Sequence, residues 1–225
     1  LGCYGAPAAT PNIDRFAEQA VRCDNCFCTS PQCCASRASM FSGLSPWNNG
    51  MMGQISRGWT LREEIPYVPR LLAEADYETV LCGIQHETAG DPRELGYRTV
   101  LPSESRRAAK VADSVTEYLC GDPDQPFFLS AGFKETHRPF PEPEVDRDSV
   151  EVQSYFPDTP EVREDVARFQ TSVRDADRGV GRLLEVLAET GLEENTLVVL
   201  TTDHGPSFPG AKCMLLERGT GIFLL

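Results

Sequence analysis

Two patterns of apolar residues alternate along the chain. Apolar residues three and four positions apart are typical of a helix with one buried face, and short continuous apolar runs are typical of strands buried on both faces. The first pattern predicts helices from Pro11 to about Ala20, within SRASMFSGL up to about Gly43, within VPRLLAEA, over about 104–119, and from Pro160 to about Gly191. The second predicts an extended segment at AVRCDNCFC and strands at YETVLCG, PFFLSAGF and TLVVLTTDHG.

Strands that alternate with helices predict an α/β fold with a mainly parallel central sheet, flanked by helices on both faces. Ligands of such sheets bind beyond the carboxyl ends of the strands. Three polar segments follow predicted strands, namely CGIQHE, GFKETHRPF and TTDHG. We therefore expect the functional site to lie where these three segments meet.

Composition narrows the function classes. The chain has 225 residues, 21 basic and 34 acidic, and a net charge of −13. That charge argues against a nucleic-acid-binding protein and against binding to anionic membranes, so attraction to any anionic ligand must be local. No apolar run approaches the length of a membrane span. The sequence starts with LGCYG rather than with methionine, and we expect it to be a fragment.

Cysteine, histidine and lysine are unevenly distributed. The nine cysteines are odd in number and clustered, which does not resemble a disulfide framework and favours a reducing compartment, although the localisation stays open. The three histidines are far apart, which argues against a zinc site built on paired histidines. There are only three lysines, so each lysine near a motif is a candidate for function.

The segment TSPQCCASRASMFSG carries the most specific chemical signal. A cysteine-dependent phosphatase needs cysteine six positions before Arg37, where this chain has Pro31. The pair Cys23 and Cys26 has the spacing of a redox pair or half a metal site, but buried structural thiols are the simpler interpretation. What remains is a cysteine, Cys33, at the start of a helix, where backbone N–H groups favour an anion.

Here the sequence resembles the sulfatase family. The signature of that family is Cys, any residue, Pro or Ala, usually Ser, then Arg, and its cysteine is converted after translation to formylglycine. The spacing to Ala35 and Arg37 selects Cys33 as the modified residue and leaves Cys34 in the free position. TPNIDRFAEQAVRCDN, HRPFPEP, ENTLVVLTTDHG and AKCMLLERGTGIFLL are similar to further family segments in the same order. The resemblance implies the fold of the alkaline phosphatases.

The resemblance also implies roles for individual residues. The hydrated formylglycine at Cys33 would attack sulfur and then release sulfate, so that water need not attack sulfur. Arg37 would hold it and stabilise developing charge, and His86 would take its proton during sulfate release. His137 would help to protonate the leaving group, and Lys212 would pair with the sulfate oxygens.

Three further residues are candidates for binding. The resemblance implies that Asp203 and His204 bind a divalent cation, with Ca²⁺ the expected metal. Histidine is the softer of the two family options at position 204, the other being asparagine, which leaves room for a different metal. Lys134 is a candidate substrate contact, although a solvated lysine is an equal alternative.

The chain departs from the family pattern in two ways. Sulfatases carry adjacent aspartates on a first strand before the LGCYG segment, and this sequence begins after that strand. We therefore expect residues 1–225 to be an incomplete N-terminal catalytic domain, without a smaller C-terminal domain, that binds metal weakly or not at all. Ile84 also stands where most sulfatases have a lysine, which removes a cation near the nucleophile unless Lys134 or an arginine replaces it.

The resemblance predicts a hydrolase that removes sulfate from a sulfated sugar, as a sulfuric ester or a sulfamate. NNGMMG, SYFPDTPEVREDVA and GPSFPGAK resemble the heparan N-sulfatase (sulfamidase) branch, which acts on a glycosaminoglycan, more than they resemble the arylsulfatases. Its expected partners are the sulfated substrate and the maturation enzyme that makes formylglycine, with no nucleic acid or membrane. Two alternatives stay open, a phosphomonoester or phosphonate monoester hydrolase of the same fold and a catalytically incompetent sulfatase-like fragment.

Overall fold

The computed structural model describes residues 1–123 and 126–225. In these residues the α-helices are α1 (Pro11–Ala17), α2 (Cys33–Ser42), α3 (Pro46–Asn49), α4 (Val68–Glu74), α5 (Ala108–Cys120), α6 (Pro160–Glu189) and α7 (Glu217–Thr220). The strands are β1 (Glu78–Gly83), β2 (Thr99–Leu101) and β3 (Phe127–Gly132). Single 3₁₀ turns lie at Gly2–Tyr4, Ile55–Arg57, Pro92–Leu95 and Glu193–Asn195. Across the described ranges, every helix is too short or too polar to cross a membrane.

The three strands form a parallel sheet in the order β2-β1-β3. Val80 lies opposite Thr99 on one side and opposite Leu129 on the other. The predicted α/β fold with a parallel sheet is therefore confirmed. Strand β2 was not predicted, because three residues are too few to show a periodic pattern.

Both faces of the sheet are covered, as the continuous apolar strands predict. Cys82 of β1 faces helices α5 and α6, where it packs in one buried cluster with Val111, Val115, Leu119, Val186 and Leu187. Its neighbour Leu81 faces the other way and packs with Tyr67, Leu95, Tyr97 and, on α2, Phe41. The alternation along β1 thus ties the sheet to α6 on one side and to the helix carrying Cys33 on the other.

Strands β1 and β3 both end at a glycine. Gly83 has a φ of 87° and lies opposite Gly132. A Cβ atom on Gly83 would come within 2.1 Å of the Gly132 carbonyl oxygen, and one on Gly132 within 2.3 Å of the Ile84 carbonyl oxygen. The polar segments that follow these strands can therefore leave the sheet side by side.

Helix α1 receives its N-terminal cap from a distant helix. Asp177 of α6 is 2% exposed and accepts hydrogen bonds from the backbone N–H groups of Asn12 at 3.1 Å and Ile13 at 2.9 Å. These are donors of the first helical turn, which have no partner within a helix. The side chain of Thr10 is occupied elsewhere, since it donates to Asp14 and accepts from Gly2.

Some predicted boundaries differ from the structure. TLVVLTTDHG is not a strand, because a strand needs a backbone partner along its length and here only Leu200 and Thr201 pair, with residues 224 and 225. AVRCDNCFC likewise forms only an isolated bridge, at Phe27. Helix α5 begins at Ala108 rather than at about 104, and the predicted loop SPWNNGMMGQ includes the short helix α3.

Candidate active site

Three parts of the chain converge on Cys33. Helix α2 begins at Cys33 itself, the segment after β1 brings His86, and the segment after Thr201 brings Asp203 and His204. Their meeting point lies beyond the carboxyl ends of the parallel strands, where the topology places a ligand site. The structure thus brings together four of the residues that the sequence indicated.

Cys33 is 8% exposed and surrounded by proton donors and positive charge. Its Sγ lies 3.2 Å from Nε2 of His204. Burial alone raises the pKa of this thiol, but hydrogen bonds with His204 and His86 and the charge of Lys212 outweigh burial and lower the pKa to about 5. Position 33 is therefore a place where a negatively charged atom is stabilised.

The ring of His204 has a fixed orientation. Its Nδ1 lies 2.7 Å from the carbonyl oxygen of Gly205, which can only accept a hydrogen bond, so Nδ1 carries a proton. Nε2 then points at Cys33 and lies 3.6 Å from a carboxylate oxygen of Asp203. Burial lowers the pKa of His204, but the hydrogen bond with Cys33 and the charge of Asp203 raise it above its ordinary value.

Arg37 lies one turn into α2 and is held by the segment after β1. Its Nε donates to Oε1 of Glu87 at 2.9 Å, and Nη2 donates to the carbonyl oxygen of Ile84 at 3.2 Å. Burial lowers the pKa of Arg37, and the charges of Glu87 and Asp203 raise it above its ordinary value. Ile84 stands where a lysine was expected, and its backbone carbonyl oxygen helps to position Arg37 by accepting this hydrogen bond.

Glu87 is the site residue that sequence reasoning missed. Its side chain is 1% exposed, and besides pairing with Arg37 it accepts the backbone N–H of His86 at 2.6 Å. One carboxylate therefore fixes two of the groups around Cys33. The available signal was an acidic residue directly after the candidate histidine, in a segment that leaves a buried strand.

Loop hydrogen bonds hold the remaining parts in place. Oε1 of Gln85 accepts the backbone N–H groups of Glu87 at 2.9 Å and Thr88 at 3.1 Å, which folds this segment into a turn. The hydroxyl of Ser36 donates to the carbonyl oxygen of Asp203. Helix α2 and the Asp203 segment are thereby joined directly.

Three candidate residues stand further from Cys33. Lys212 affects Cys33 through its charge, and among the described residues its side chain has no ion pair or hydrogen bond. His137 is exposed, and its Nδ1 lies 2.6 Å from the carbonyl oxygen of Arg138. Within residues 1–123 and 126–225, neither His137 nor Lys134 has a hydrogen bond or ion pair with the groups around Cys33. The predicted roles of these two residues stay predictions.

Arg138 links the His137 loop to the loop after His204. Its guanidinium pairs with Asp165 of α6, with one N–O distance of 2.7 Å, and its Nε donates to the carbonyl oxygen of Ser207 at 2.9 Å. The same group lies over the rings of Phe140 and Phe208, at 4.3 and 5.1 Å from their centroids. Charge pairing and cation–π contact therefore hold the two loops next to each other on α6.

The protein groups that could hold a metal here are few. One group of three candidate ligands stands out in the part of the chain that the structure describes, consisting of Cys33, Asp203 and His204, with ligand atoms all within 4.8 Å of one another. It offers one sulfur, one imidazole nitrogen and carboxylate oxygen. Ca²⁺ takes six to eight oxygen ligands, so this set does not fit a calcium ion by itself.

Comparison with known proteins places these features in a family. The family profile named Sulfatase matches residues 1–220. The human enzyme N-sulphoglucosamine sulphohydrolase is 29% identical over 266 aligned positions, which cover 100% of this chain and 51% of that enzyme. The chain thus spans about half the length of the curated relatives it matches, since human arylsulfatase A is covered to 51% as well.

Solved structures share the fold. A Bacteroides fragilis protein assigned to the sulfatases superposes with a TM-score of 0.83 at 19% identity, covering 100% of this chain and 64% of that one. A protein solved with its substrate D-glucosamine-2-N,6-O-disulfate superposes with a TM-score of 0.77 at 18% identity, covering 100% of this chain and 67% of that one. With the match over residues 1–220, the chain belongs to the sulfatase family.

Proposed function

We propose that this chain carries the catalytic centre of a hydrolase that removes sulfate from a sulfated sugar, as an ester or a sulfamate. The observation that carries the proposal is the convergence of His86, His204 and the charge of Lys212 on Cys33, at the first turn of α2. A sulfate group needs fixed cations around its oxygens and a nucleophile at sulfur. The groups around Cys33 support both requirements.

Membership of the sulfatase family implies, in general, a formylglycine and a divalent metal. The proposal places the formylglycine at position 33, where the hydrated aldehyde would supply the nucleophilic oxygen. The N–H groups of the first turn of α2 and the helix dipole favour negative charge there. The pKa of about 5 for the thiol supports this assignment, because it reports how strongly the surroundings stabilise an anion at position 33.

The two histidines would handle protons at position 33. His86, in the segment after β1, interacts with the Cys33 side chain in a way that lowers the pKa of the thiol, and Glu87 fixes the backbone of His86. We assign His86 the role of taking a proton from the group at position 33 when sulfate leaves. His204 keeps its proton on Nδ1 against Gly205 and presents Nε2 to the same group.

Cations near position 33 would bind the sulfate group. Lys212 supports this role through its charge interaction with Cys33, and Arg37 lies one turn along α2 from it. The net charge of the chain is −13, so the positive charge near position 33 has to attract an anionic substrate despite the negative charge of the rest of the protein. Arg37 is already paired with Glu87, so we assign its remaining N–H groups to hold the group at position 33.

The leaving-group side is assigned to the loop after β3. His137 is exposed near the start of this loop, as expected of a group that meets the bridging atom of a substrate. Arg138 keeps the loop beside residues 206–212, which include Lys212. Lys134 stays a proposed substrate contact.

The proposed metal ligands are Asp203 and His204. The described residues bring too few oxygen atoms to this point for Ca²⁺, so calcium would need oxygen ligands beyond them. We therefore assign no catalytic step to a metal ion in this chain.

The proposed substrate class is a sulfated amino sugar. The human relative is named for the hydrolysis of N-sulphoglucosamine, and the structure at TM-score 0.77 is of a protein whose own substrate carries both an N-sulfate and an O-sulfate. These names describe the relatives, and they make glucosamine N-sulfate and 6-O-sulfate the first substrates to test.

The test is co-expression of the chain with a formylglycine-generating enzyme, followed by peptide mass mapping and assays with matched sulfate, sulfamate and phosphate substrates. We expect formylglycine at position 33 and faster turnover of the sulfated substrates. Cys33→Ala should abolish turnover, whereas Cys34→Ala, at the adjacent buried cysteine, should retain most of it. An unmodified Cys33 together with no turnover of any sulfated substrate would overturn the proposal, and a preference for phosphate would assign the other hydrolase class.

A further inference from the structure

One stretch of this acidic chain carries no acidic residue. All 34 aspartates and glutamates lie outside residues 25–62, whereas three arginines, Arg37, Arg57 and Arg62, lie inside it. Arg37 is paired with Glu87. Arg57 and Arg62 are exposed, and neither has an ion pair with any residue that the structure describes. An anionic ligand therefore meets less repulsion along this stretch than elsewhere on the molecule.

Both tryptophans of the chain lie on the same stretch, and both are exposed. Trp47, on α3, is 66% exposed and Trp59 is 39% exposed, with the 51% exposed Met52 between them in sequence. Large apolar side chains that are grouped at a surface indicate a binding site for a ligand or a partner. An indole ring offers a flat apolar face together with one N–H donor, so its ligand should have apolar faces and polar edges.

The segment folds back on itself and brings these side chains to one surface. The backbone N–H of Arg62 donates to the carbonyl oxygen of Asn49 at 3.0 Å, and Nη2 of Arg62 donates to the carbonyl oxygen of Trp47 at 3.5 Å. Trp59 lies against Gly53, where a Cβ atom would come within 2.4 Å of the indole ring. Arg62 and Trp47 are thus neighbours although they are 15 positions apart in the sequence.

A buried asparagine fixes the shape of this segment. Asn49 is 0% exposed, and its Nδ2 donates to the hydroxyl of Ser42 and to the carbonyl oxygen of Leu44, both at 3.2 Å. Its Oδ1 accepts the backbone N–H of Met51 at 2.9 Å. Side chains on a fixed segment lose little conformational freedom when a ligand binds, which favours affinity.

The segment also lies beside the helix that begins at the candidate nucleophile. Met51 is 0% exposed and packs with Cys34 and Ala38 of α2, and Ile55 and Leu61 pack against the same cluster. The exposed residues between these two anchors are therefore held next to α2. A ligand with one end at the start of α2 can extend over them.

We propose that the Trp–Arg surface, consisting of Trp47, Arg57, Trp59 and Arg62, binds the part of a sulfated sugar chain that extends beyond the sugar unit at Cys33. The indole rings pack against the apolar faces of sugar rings. The guanidinium groups pair with sulfate or carboxylate groups, to which they can donate two N–H groups at once.

The charges favour this occupant over a second copy of the protein. A symmetric contact between two copies would bring the unpaired arginines of both copies together, and like charges across an interface are unfavourable. The choice of an anionic ligand rests on these arginines. The choice of a sugar chain rests on the proposed function.

The test uses the 225-residue chain produced without a maturation enzyme, so that Cys33 stays a thiol and binding is measured without turnover. The probes are a heparin hexasaccharide and the monosaccharide glucosamine 6-O-sulfate. Because both tryptophans belong to the Trp–Arg surface, intrinsic tryptophan fluorescence reports on this surface alone. We expect the hexasaccharide to shift the emission to shorter wavelength in a saturable way and to bind at least about tenfold more tightly than the monosaccharide.

Substitutions separate the two kinds of contact. Trp47→Ala should weaken hexasaccharide binding about fivefold, and so should Arg57→Ala combined with Arg62→Ala, with monosaccharide binding unchanged. The matched control is Arg147→Ala. Arg147 is also exposed and has no ion pair within the described ranges, but it lies between Asp146 and Asp148. Its loss should change hexasaccharide binding by less than about twofold.

Several outcomes would overturn the inference. One is equal binding of hexasaccharide and monosaccharide, and another is hexasaccharide binding that none of the substitutions weakens. Equal binding of a polyphosphate of the same charge would show that charge alone is recognised, and emission that shifts with protein concentration without sugar would assign the surface to self-association. Hexasaccharide binding that depends on the Trp–Arg surface in a chain that fails every sulfatase assay would support this inference and overturn the proposed function.

Discussion

At the scale of single residues, Glu87 positions two of the groups around Cys33, although it is not part of the sequence motif. It is buried, it neutralises Arg37, and it fixes the backbone of His86. Breaking a buried ion pair by removing one partner is costly, because the other charge is left without compensation. Glu87 should therefore affect stability as well as any activity of the site.

We predict that Glu87→Ala lowers the free energy of unfolding by about 3–5 kcal/mol, measured by urea denaturation. The matched control is Glu142→Ala, which breaks the pair with Arg168 at a carboxylate that is 84% exposed. An exposed pair contributes only about 0–1 kcal/mol. Equal losses in the two variants would contradict the role given to burial.

Two buried tyrosines beside Glu87 predict a dependence of stability on alkaline pH. Burial, and then the negative charge of Glu87, raises the pKa of Tyr97 to about 12 and also raises that of Tyr67. A pKa that is higher in the folded state contributes stability that is complete below the unfolded value of about 10. That contribution is lost as the pH rises from about 10 to 12.

We expect the chain to lose about 2 kcal/mol of stability between pH 10 and 12 for Tyr97 alone. Denaturant midpoints across this range, with phenolate absorbance as a second signal, give the measurement. Tyr97→Phe should show a smaller loss over the same range. An unchanged pH dependence in that variant would show that Tyr97 ionises as freely in the folded chain as in the unfolded one.

The sequence could predict that candidate site residues meet where a short motif or the order of the strands places them together. Cys33 and Arg37 are one helical turn apart, and His86, Asp203 and His204 follow apolar runs, so motif and topology were sufficient. Glu87 could not be predicted, because its role depends on Arg37, 50 positions away in the sequence.

At the scale of elements, helix α6 organises the others. It packs under the sheet with α5, it carries Asp165 for Arg138, and it carries Asp177 for α1. Its 30 residues were predicted almost to their ends, because the apolar spacing is regular and Thr159 and Pro160 mark its start. Long amphipathic helices are the elements that local pattern specifies best.

We predict that Asp177→Ala destabilises the chain by about 2–3 kcal/mol, because two backbone donors and the Asn12 side chain lose a buried acceptor. Asp175→Ala is the matched control on the same helix. It removes a partner of the half-exposed Arg178, and its effect should stay below about 1 kcal/mol. Thermal unfolding by circular dichroism compares the two, and equal effects would exclude a capping role for Asp177.

The segment after α6 shows where local pattern was insufficient. TLVVL has the composition of a buried strand, yet Leu197 is 90% exposed and Val199 58% exposed, while Val198 and Leu200 pack inward. The pattern predicts a residue's preference for a strand, but a strand exists only where backbone partners are available on the neighbouring segment. That information lies in the tertiary arrangement.

At the scale of the whole molecule, this exposed apolar edge opposes the solubility that a charge of −13 provides. We predict that Leu197→Glu combined with Val199→Glu reduces self-association in sedimentation velocity and changes the free energy of unfolding by about 0.5 kcal/mol or less. Val198→Glu is the control, since its side chain packs on the core cluster and should destabilise the fold. Self-association that persists in the double variant would place the contact elsewhere.

The bonds that hold the first residues of the chain also have a consequence for biosynthesis. Asn12 binds Asp177, 165 positions later, and Tyr4 donates to the carbonyl oxygen of Leu224, 220 positions later. A ribosome adds about 5–20 residues per second, so α1 emerges long before its cap has been translated. Residues 1–28 therefore wait for partners that are translated some 165 to 220 positions later, and a chaperone that shields residues 1–28 during translation should raise the yield of folded protein.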